Sequence, residues 1–189
     1  MTQHRTQLLD ILVTVPEIQQ VLEAIEQLGI PDAFLAGGAI TQCVWNHLSG
    51  NPALHKVKDF DIIYFDQNPT QSEADIEDHL TRTLSISRPV DVKNQAKVHT
   101  WYPKKFGNTI PPLTSSEDGL RMWLPCFAVG VRKHQDEWCV AAPFGLTDLF
   151  NRLVQPNRTA MSQQNYEQMT TSFKDRWPDI TVVPWEAHA

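Results

Sequence analysis

Apolar residues recur at helical spacing early in the chain. Ile18, Val21, Leu22, Ile25 and Leu28 share one face behind Pro16, which suits a first helical position, and "GIPD" ends the run. Residues 3–14 predict a shorter helix ahead of it. "AFLAGG" predicts a short apolar strand that runs into two glycines. "AITQCVWNHLSG" then places Ile40, Val44, Trp45 and Leu48 on one helical side, and "NPALHKV" reads as a loop. Residues 59–65 predict a strand. "SEADIEDHLTRTL" predicts an amphipathic helix with Ile76, Leu80 and Leu84 inward, and 85–93 a further strand. "NQAKVHTWY" fits a helix or an irregular segment. "PKKFGNTIPPLT", from residue 103, reads as a proline-rich surface loop, a candidate lid or linker. Serine caps in "SSEDGLRMWL" predict a short helix, and "FAVGVRKHQDEWCVAA" two strands around a polar turn. "GLTDLFNRLV" reads as a helix entered through Thr147, "NYEQMTTSFKDRW" as the last helix and "ITVVPW" as a final strand or extended tail.

Strands that alternate with helices imply an α+β (mixed α/β) class, with a mixed β-sheet flanked by helices. A length of 189 residues suits a single domain 1–189. Within it, residues 1–30 form an N-terminal helical segment, 31–155 the core and 156–189 a C-terminal helix and tail.

A net charge of −6 makes the chain a poor holder of phosphate backbones, which disfavours a nucleic-acid partner. No run approaches the roughly 20 apolar residues of a membrane span, and "MTQHRTQLLD" lacks a signal-peptide core. Cys43, Cys126 and Cys139 are odd in number and lack metal-ligand spacing, so they read as reduced thiols. A cytoplasmic protein is expected.

The chemistry concentrates in "KDFDIIYFD", residues 58–66. Strand residues i and i+2 share a face, so Asp59 and Asp61 point together, about 6–7 Å apart at their α-carbons. Phe60 and Ile62 point into packing. Two adjacent carboxylates repel and require water, a cation or a raised pKa. A hard divalent cation meets that need through oxygen ligands. "RPVDVKN" sets Asp91 between Val90 and Val92, in the same alternation. If the two strands are neighbours, three carboxylates converge, enough to hold two metals about 3.5–4 Å apart. Upstream, "FLAGGAITQ" ends a strand in Gly37-Gly38 before a helix, where backbone N–H groups can approach a phosphate. Alone, that pair is equally a tight turn.

In that order, "LAGG", "KDFDII" and "PVDV" resemble the nucleotidyltransferase (polymerase-beta-like) superfamily. More narrowly, the chain is similar to small bacterial nucleotidyltransferase-like proteins without an assigned substrate, through "KNQAKVHTWY", "APFGLTDLF" and "RWPDITVVPW". The resemblance implies a mixed sheet flanked by helices and Mg²⁺-dependent (or Mn²⁺-dependent) transfer of NMP from an NTP. It implies that Gly37 and Gly38 hold phosphates and that Asp59 and Asp61 bind both metals. Asp91 completes the catalytic metal and helps activate an acceptor, either a small molecule or a protein. Ala39–Lys58 is a longer insertion than that pattern usually carries. Haloacid-dehalogenase-type phosphatases also use D-x-D, but there the apolar strand precedes the motif, whereas here it follows.

Lys93, Asn94, Gln95, Lys97 and His99 follow Asp91 closely. Each is a candidate for touching triphosphate or base, Lys93 foremost, and each is also what a solvated face carries. Among the tryptophans, Trp45, Trp123, Trp138, Trp177 and Trp185 read as core, while Trp101 with Tyr102 is the stacking candidate. The alternative to an enzyme is a non-catalytic nucleotide-binding or antitoxin-like partner protein.

Overall fold

The computed structural model describes residues 2–107, 109–135 and 137–187. Helices α1 (Thr2–Leu12) and α2 (Pro16–Leu28) lead into β1 (Phe34–Ala36), α3 (Gly38–Leu48) and β2 (Phe60–Tyr64). Next come α4 (Glu73–Thr83), β3 (Val90–Asn94), α5 (Val98–Phe106) and α6 (Ser116–Leu120). The chain continues through β4 (Gly130–His134), β5 (Glu137–Ala141), α7 (Thr147–Phe150), β6 (Leu153–Val154), α8 (Gln163–Arg176) and β7 (Thr181–Val182). The expected mixed α+β architecture is present. Five strands form one sheet in the order β3-β2-β1-β4-β5, and β6 and β7 form a two-stranded parallel pair. Among the described residues, only β2 and β3 run parallel in the larger sheet, joined by the α4 crossover.

The strand alternation assigns the two sheet faces. Leu35, Phe60, Ile62, Val92 and Val131 are fully buried, in a core shared with α1, α2, α3 and α4. Phe34, Ala36 and Ile63 face the other way, against Leu120 of α6 and Trp123. A second cluster joins Trp45 of α3 to Phe173 and Trp177 at the end of α8. No helix among the described residues is long and apolar enough to cross a membrane.

Several expected boundaries shift. Helix α5 runs through Pro103, where a loop was expected, and ends at Gly107 with φ +80°. Packing overrides the proline: Tyr102 packs at a tilt on Phe106 with ring centroids 4.6 Å apart, and its hydroxyl donates to the Ala160 carbonyl. The strand expected over 85–93 is confined to Val90–Asn94, because Ser87 and Arg88 bond away from the sheet, to Glu17 and to the Val57 and Leu54 carbonyls. The helix expected at 145–154 is one turn long, since Arg152 adopts φ +53° and the chain then enters β6. Leu48, expected on the apolar side of α3, is exposed in its last turn.

The insertion between the glycines and D-x-D is α3 plus a clamped loop. Asn46 is fully buried and donates to the carbonyls of Ala53 (2.9 Å) and His55 (2.8 Å). Its own oxygen accepts from Trp177 Nε1 at 2.8 Å. One amide thus ties α3, the loop before β2 and the end of α8. Asn46→Ala leaves the buried Trp177 N–H and two part-buried carbonyls without partners and should cost about 2 kcal/mol. Urea denaturation followed by tryptophan fluorescence measures it, and a loss below about 1 kcal/mol would mean that water replaces the amide freely.

Candidate active site

The register of the sheet builds the site. Ala36 on β1 pairs with Asp61 on β2, and Asp61 pairs with Asp91 on β3. The two aspartates therefore stand side by side on neighbouring strands, about 5 Å apart at their backbones. Asp59 lies two residues before Asp61, just ahead of β2. All three carboxylates line one cavity of about 420 Å³. Because Ala36 is the last residue of β1, the Gly37-Gly38 turn emerges beside Asp61.

Each glycine has a physical reason. Gly37 has φ +61°, and a Cβ there would lie 2.1 Å from the Trp123 ring. Its N–H donates to the Val129 carbonyl at 2.8 Å. Gly38 opens α3, and a Cβ on it would lie 3.9 Å from Asp61 Oδ2. The first N–H groups of α3, which have no intrahelical partner, thus begin next to the carboxylates.

The opposite walls are aromatic and cationic. Trp101 and Tyr102 of α5 line the cavity, as do Trp123 and Phe127. Asn165, Met169, Phe173 and Arg176, one face of α8, close it. Lys58, Lys93, Lys105 and Arg176 supply positive charge. Lys93 Nζ donates to Asp91 Oδ1 and to the Val92 carbonyl (3.1 Å), and lies 3.5 Å from Glu77 Oε1. Lys105 lies 5.6 Å from the centre of the Trp101 ring.

The other sequence candidates separate. Gln95 lines the cavity and is pressed against Gly119, where a Cβ would meet its Oε1 at 2.1 Å. Asn94 is fully buried and structural, bonded to the Asp66 backbone and the Ala96 N–H. Lys97 and His99 do not line the cavity, nor do Trp45, Trp138, Trp177 and Trp185. The three cysteines lie outside it too, and burial pushes the Cys43 thiol up to about 12, which keeps it protonated. Sequence reasoning missed Trp123, Lys105, Phe173 and Arg176. The i, i+4, i+8, i+11 spacing of the α8 residues was the available signal for two of them.

Electrostatics single out Asp61. Burial raises its carboxyl to about 7, reinforced by Asp59 and Asp91 and opposed by Lys93 and Lys105. Asp59 is also raised, by burial and then by Asp91, against Lys58 and Arg176. Burial acts to lower the Lys93 ammonium, but the hydrogen bond and charge of Asp91, with Glu77 and Glu73, carry it above its ordinary value. Burial lowers the Arg176 guanidinium against the pull of Asp59. Among the described residues, no three His, Cys, Asp or Glu side chains are drawn together as a ready metal cage.

A family model described as Nucleotidyltransferase matches residues 23–182. No curated protein sequence matches the chain. An NMR structure reported to reveal a CCA-adding enzyme head domain superposes with a TM-score of 0.77 at 24% identity, over 95% of each chain. The crystal structure of the Bacillus stearothermophilus CCA-adding enzyme in complex with CTP gives a TM-score of 0.50 at 15% identity. That match covers 90% of this chain and 42% of the enzyme, so this chain spans less than half of its length. At these identities the likeness is one of fold.

The Asp61 shift has a consequence for stability. Unfolded, Asp61 titrates near 3.8; folded, near 7. Folding takes up a proton between those values, so the protonated carboxyl's contribution is fully present below the lower one. It is lost as pH rises through the upper one. Metal-free protein should therefore lose stability from pH 4 to pH 8, and Asp61→Asn should flatten the decline. At pH 8 the variant should be more stable by about 2 kcal/mol, less than the full shift implies because water enters the cavity. Thermal melts of both proteins across pH measure it, and parallel curves would show that Asp61 titrates normally.

Proposed function

The chain belongs to the nucleotidyltransferase family, and from that premise we propose a divalent-metal-dependent enzyme that moves NMP from an NTP to a hydroxyl or phosphate of an acceptor. The single observation that supports this most is the in-register pair Asp61–Asp91, with Asp59 adjacent, beside Gly38 at the head of α3 in one cavity.

The donor set suits Mg²⁺ or Mn²⁺. All three groups are carboxylates, and Asp61 carries the penalty of burial beside like charges that a hard cation relieves. Asp59, Asp61 and Asp91 would hold the metal. Bound there, it would stabilise negative charge developing on the transferred phosphoryl group.

The chain's own residues do the rest. The α3 N-terminus at Gly38 presents backbone donors and a positive dipole end to phosphates. Lys105 and Arg176 add charge to the same cavity. Trp101, Trp123 and Phe173 offer faces for a base, which stacks without regard to sequence. The aromatic walls also limit water near the reacting phosphate, so that fixed charges act more strongly. A volume of about 420 Å³ lies in the range of small-molecule sites, and the net charge of −6 does not favour a polynucleotide. Both support a small molecule, or a single protein side chain, as acceptor.

The test is a screen of ATP, GTP, CTP and UTP with Mg²⁺ or Mn²⁺ against metabolite pools and protein acceptors, read as pyrophosphate. Asp61→Asn should cut turnover at least about 100-fold while the fold persists. It should also lose the thermal stabilisation that NTP plus Mg²⁺ gives the wild type, about 2.7 kcal/mol at a hundredfold excess over Kd. Nucleotide binding without pyrophosphate release would assign the cavity to a non-catalytic role instead.

A further inference from the structure

We propose that Lys93 is a resident counter-ion of Asp91, an ammonium that a divalent cation must displace before Asp91 can join Asp59 and Asp61 as a ligand. The proposal rests on the metal-dependent reading above and assigns Lys93 a positioning role.

The geometry is specific to this side chain. Asp91 and Lys93 are two apart on β3, so they share a face. An ammonium has three donors, and three oxygens surround this one: Asp91 Oδ1, the Val92 carbonyl and Glu77 Oε1. Glu77 is itself fixed, because the same Oε1 accepts the Val92 N–H at 2.8 Å. Four cations line the cavity, and of these four Lys93 alone is ion-paired among the described residues. It takes up an oxygen of Asp91 that a site of three carboxylates would need for a metal.

An ammonium and a divalent ion cannot share one carboxylate without repelling each other. Metal affinity in the free protein is therefore held down. A phosphate-bearing ligand that draws Lys93 away raises that affinity, and by linkage the metal favours that ligand equally. Metal and nucleotide then bind cooperatively, and Asp91 is kept from binding cations when no nucleotide is present.

The test measures Mn²⁺ binding to the full chain without nucleotide, from the electron paramagnetic resonance signal of free Mn²⁺. Lys93→Met should tighten binding roughly tenfold, a figure reduced for the half-exposed setting of the pair. Lys93→Arg keeps the charge and should stay within about threefold of wild type. Lys105→Met removes equal charge from the cavity but no ion pair, and should tighten binding less than Lys93→Met. Circular dichroism checks each fold; if Lys93→Met does not fold, Lys93→Gln replaces it with the same expectation. Unchanged or weaker Mn²⁺ binding in the neutral variant overturns the proposal, as does an equal shift in Lys105→Met. In both cases wild-type binding that Asp61→Asn abolishes leaves the metal-dependent reading standing. If neither wild type nor the neutral variant binds Mn²⁺, the Lys93 proposal falls and pyrophosphate release with NTP and metal decides the metal-dependent reading.

Discussion

Everything at the site depends on the register of three strands. Pairing Ala36 with Asp61 and Asp61 with Asp91 brings together segments 25 and 30 residues apart. A slip of one residue would turn Asp61 into the core and put Ile62 in its place beside Asp91. The apolar alternation prevents this: Phe60, Ile62 and Val92 are fully buried on the opposite face. The row continues through Gly130 on β4 to Ala141 on β5. Small residues there let Leu120 approach closely; a Cβ at Gly130 would already stand 3.3 Å from its side chain.

The edge strand receives separate support. Among the described residues β3 has a neighbouring strand on one side only, so some of its N–H groups face outward. Glu73 and Glu77, four apart on α4, accept the N–H groups of Asn94 (2.7 Å) and Val92 (2.8 Å). Two side chains thus stand in for a missing strand and hold Asp91, which lies just before these positions, in place. The same crossover helix connects β2 to β3, so connection and edge protection come from one element. A serine–aspartate capping box at Ser72 and Asp75 fixes where α4 begins, and with it the positions of both glutamates.

How much of this was legible in the sequence follows the range of the interactions. Asp59, Asp61 and Asp91 stood out because strand periodicity is local, and each sits beside residues that must be buried. The glycine pair was legible as a turn. The Trp123 ring that excludes any side chain at Gly37 was not, since 86 residues separate them. Arg176 and Phe173 went unread for a similar reason: α8 is a weakly amphipathic helix whose cavity-facing side carries asparagine, methionine and arginine as well as phenylalanine. Pro103 and Arg152 misled in opposite directions. The Tyr102–Phe106 contact within α5 and the tie from Tyr102 to the Ala160 carbonyl carried a helix through a proline, and a left-handed arginine stopped one where no glycine marked the end.

The closing wall of the cavity comes from far along the chain, and its attachment shows how fold and site are joined. Trp177 follows the last residue of α8 and packs edge-on against Trp45, ring centroids 5.7 Å apart, while its indole N–H reaches Asn46. Arg176, the preceding residue, lies over the same indole at 4.7 Å, and its guanidinium donates to the Lys56 carbonyl. Lys56 and Lys58 belong to the loop that delivers Asp59. The anchor that fixes α8 therefore also fixes the approach to D-x-D, and the charge of Arg176 sits where it opposes the raised Asp59 carboxyl. Loosening α8 would remove an aromatic wall and a cation at once and return Asp59 and Asp61 to water. The C-terminal helix is as much a part of the site as the sheet that carries the carboxylates.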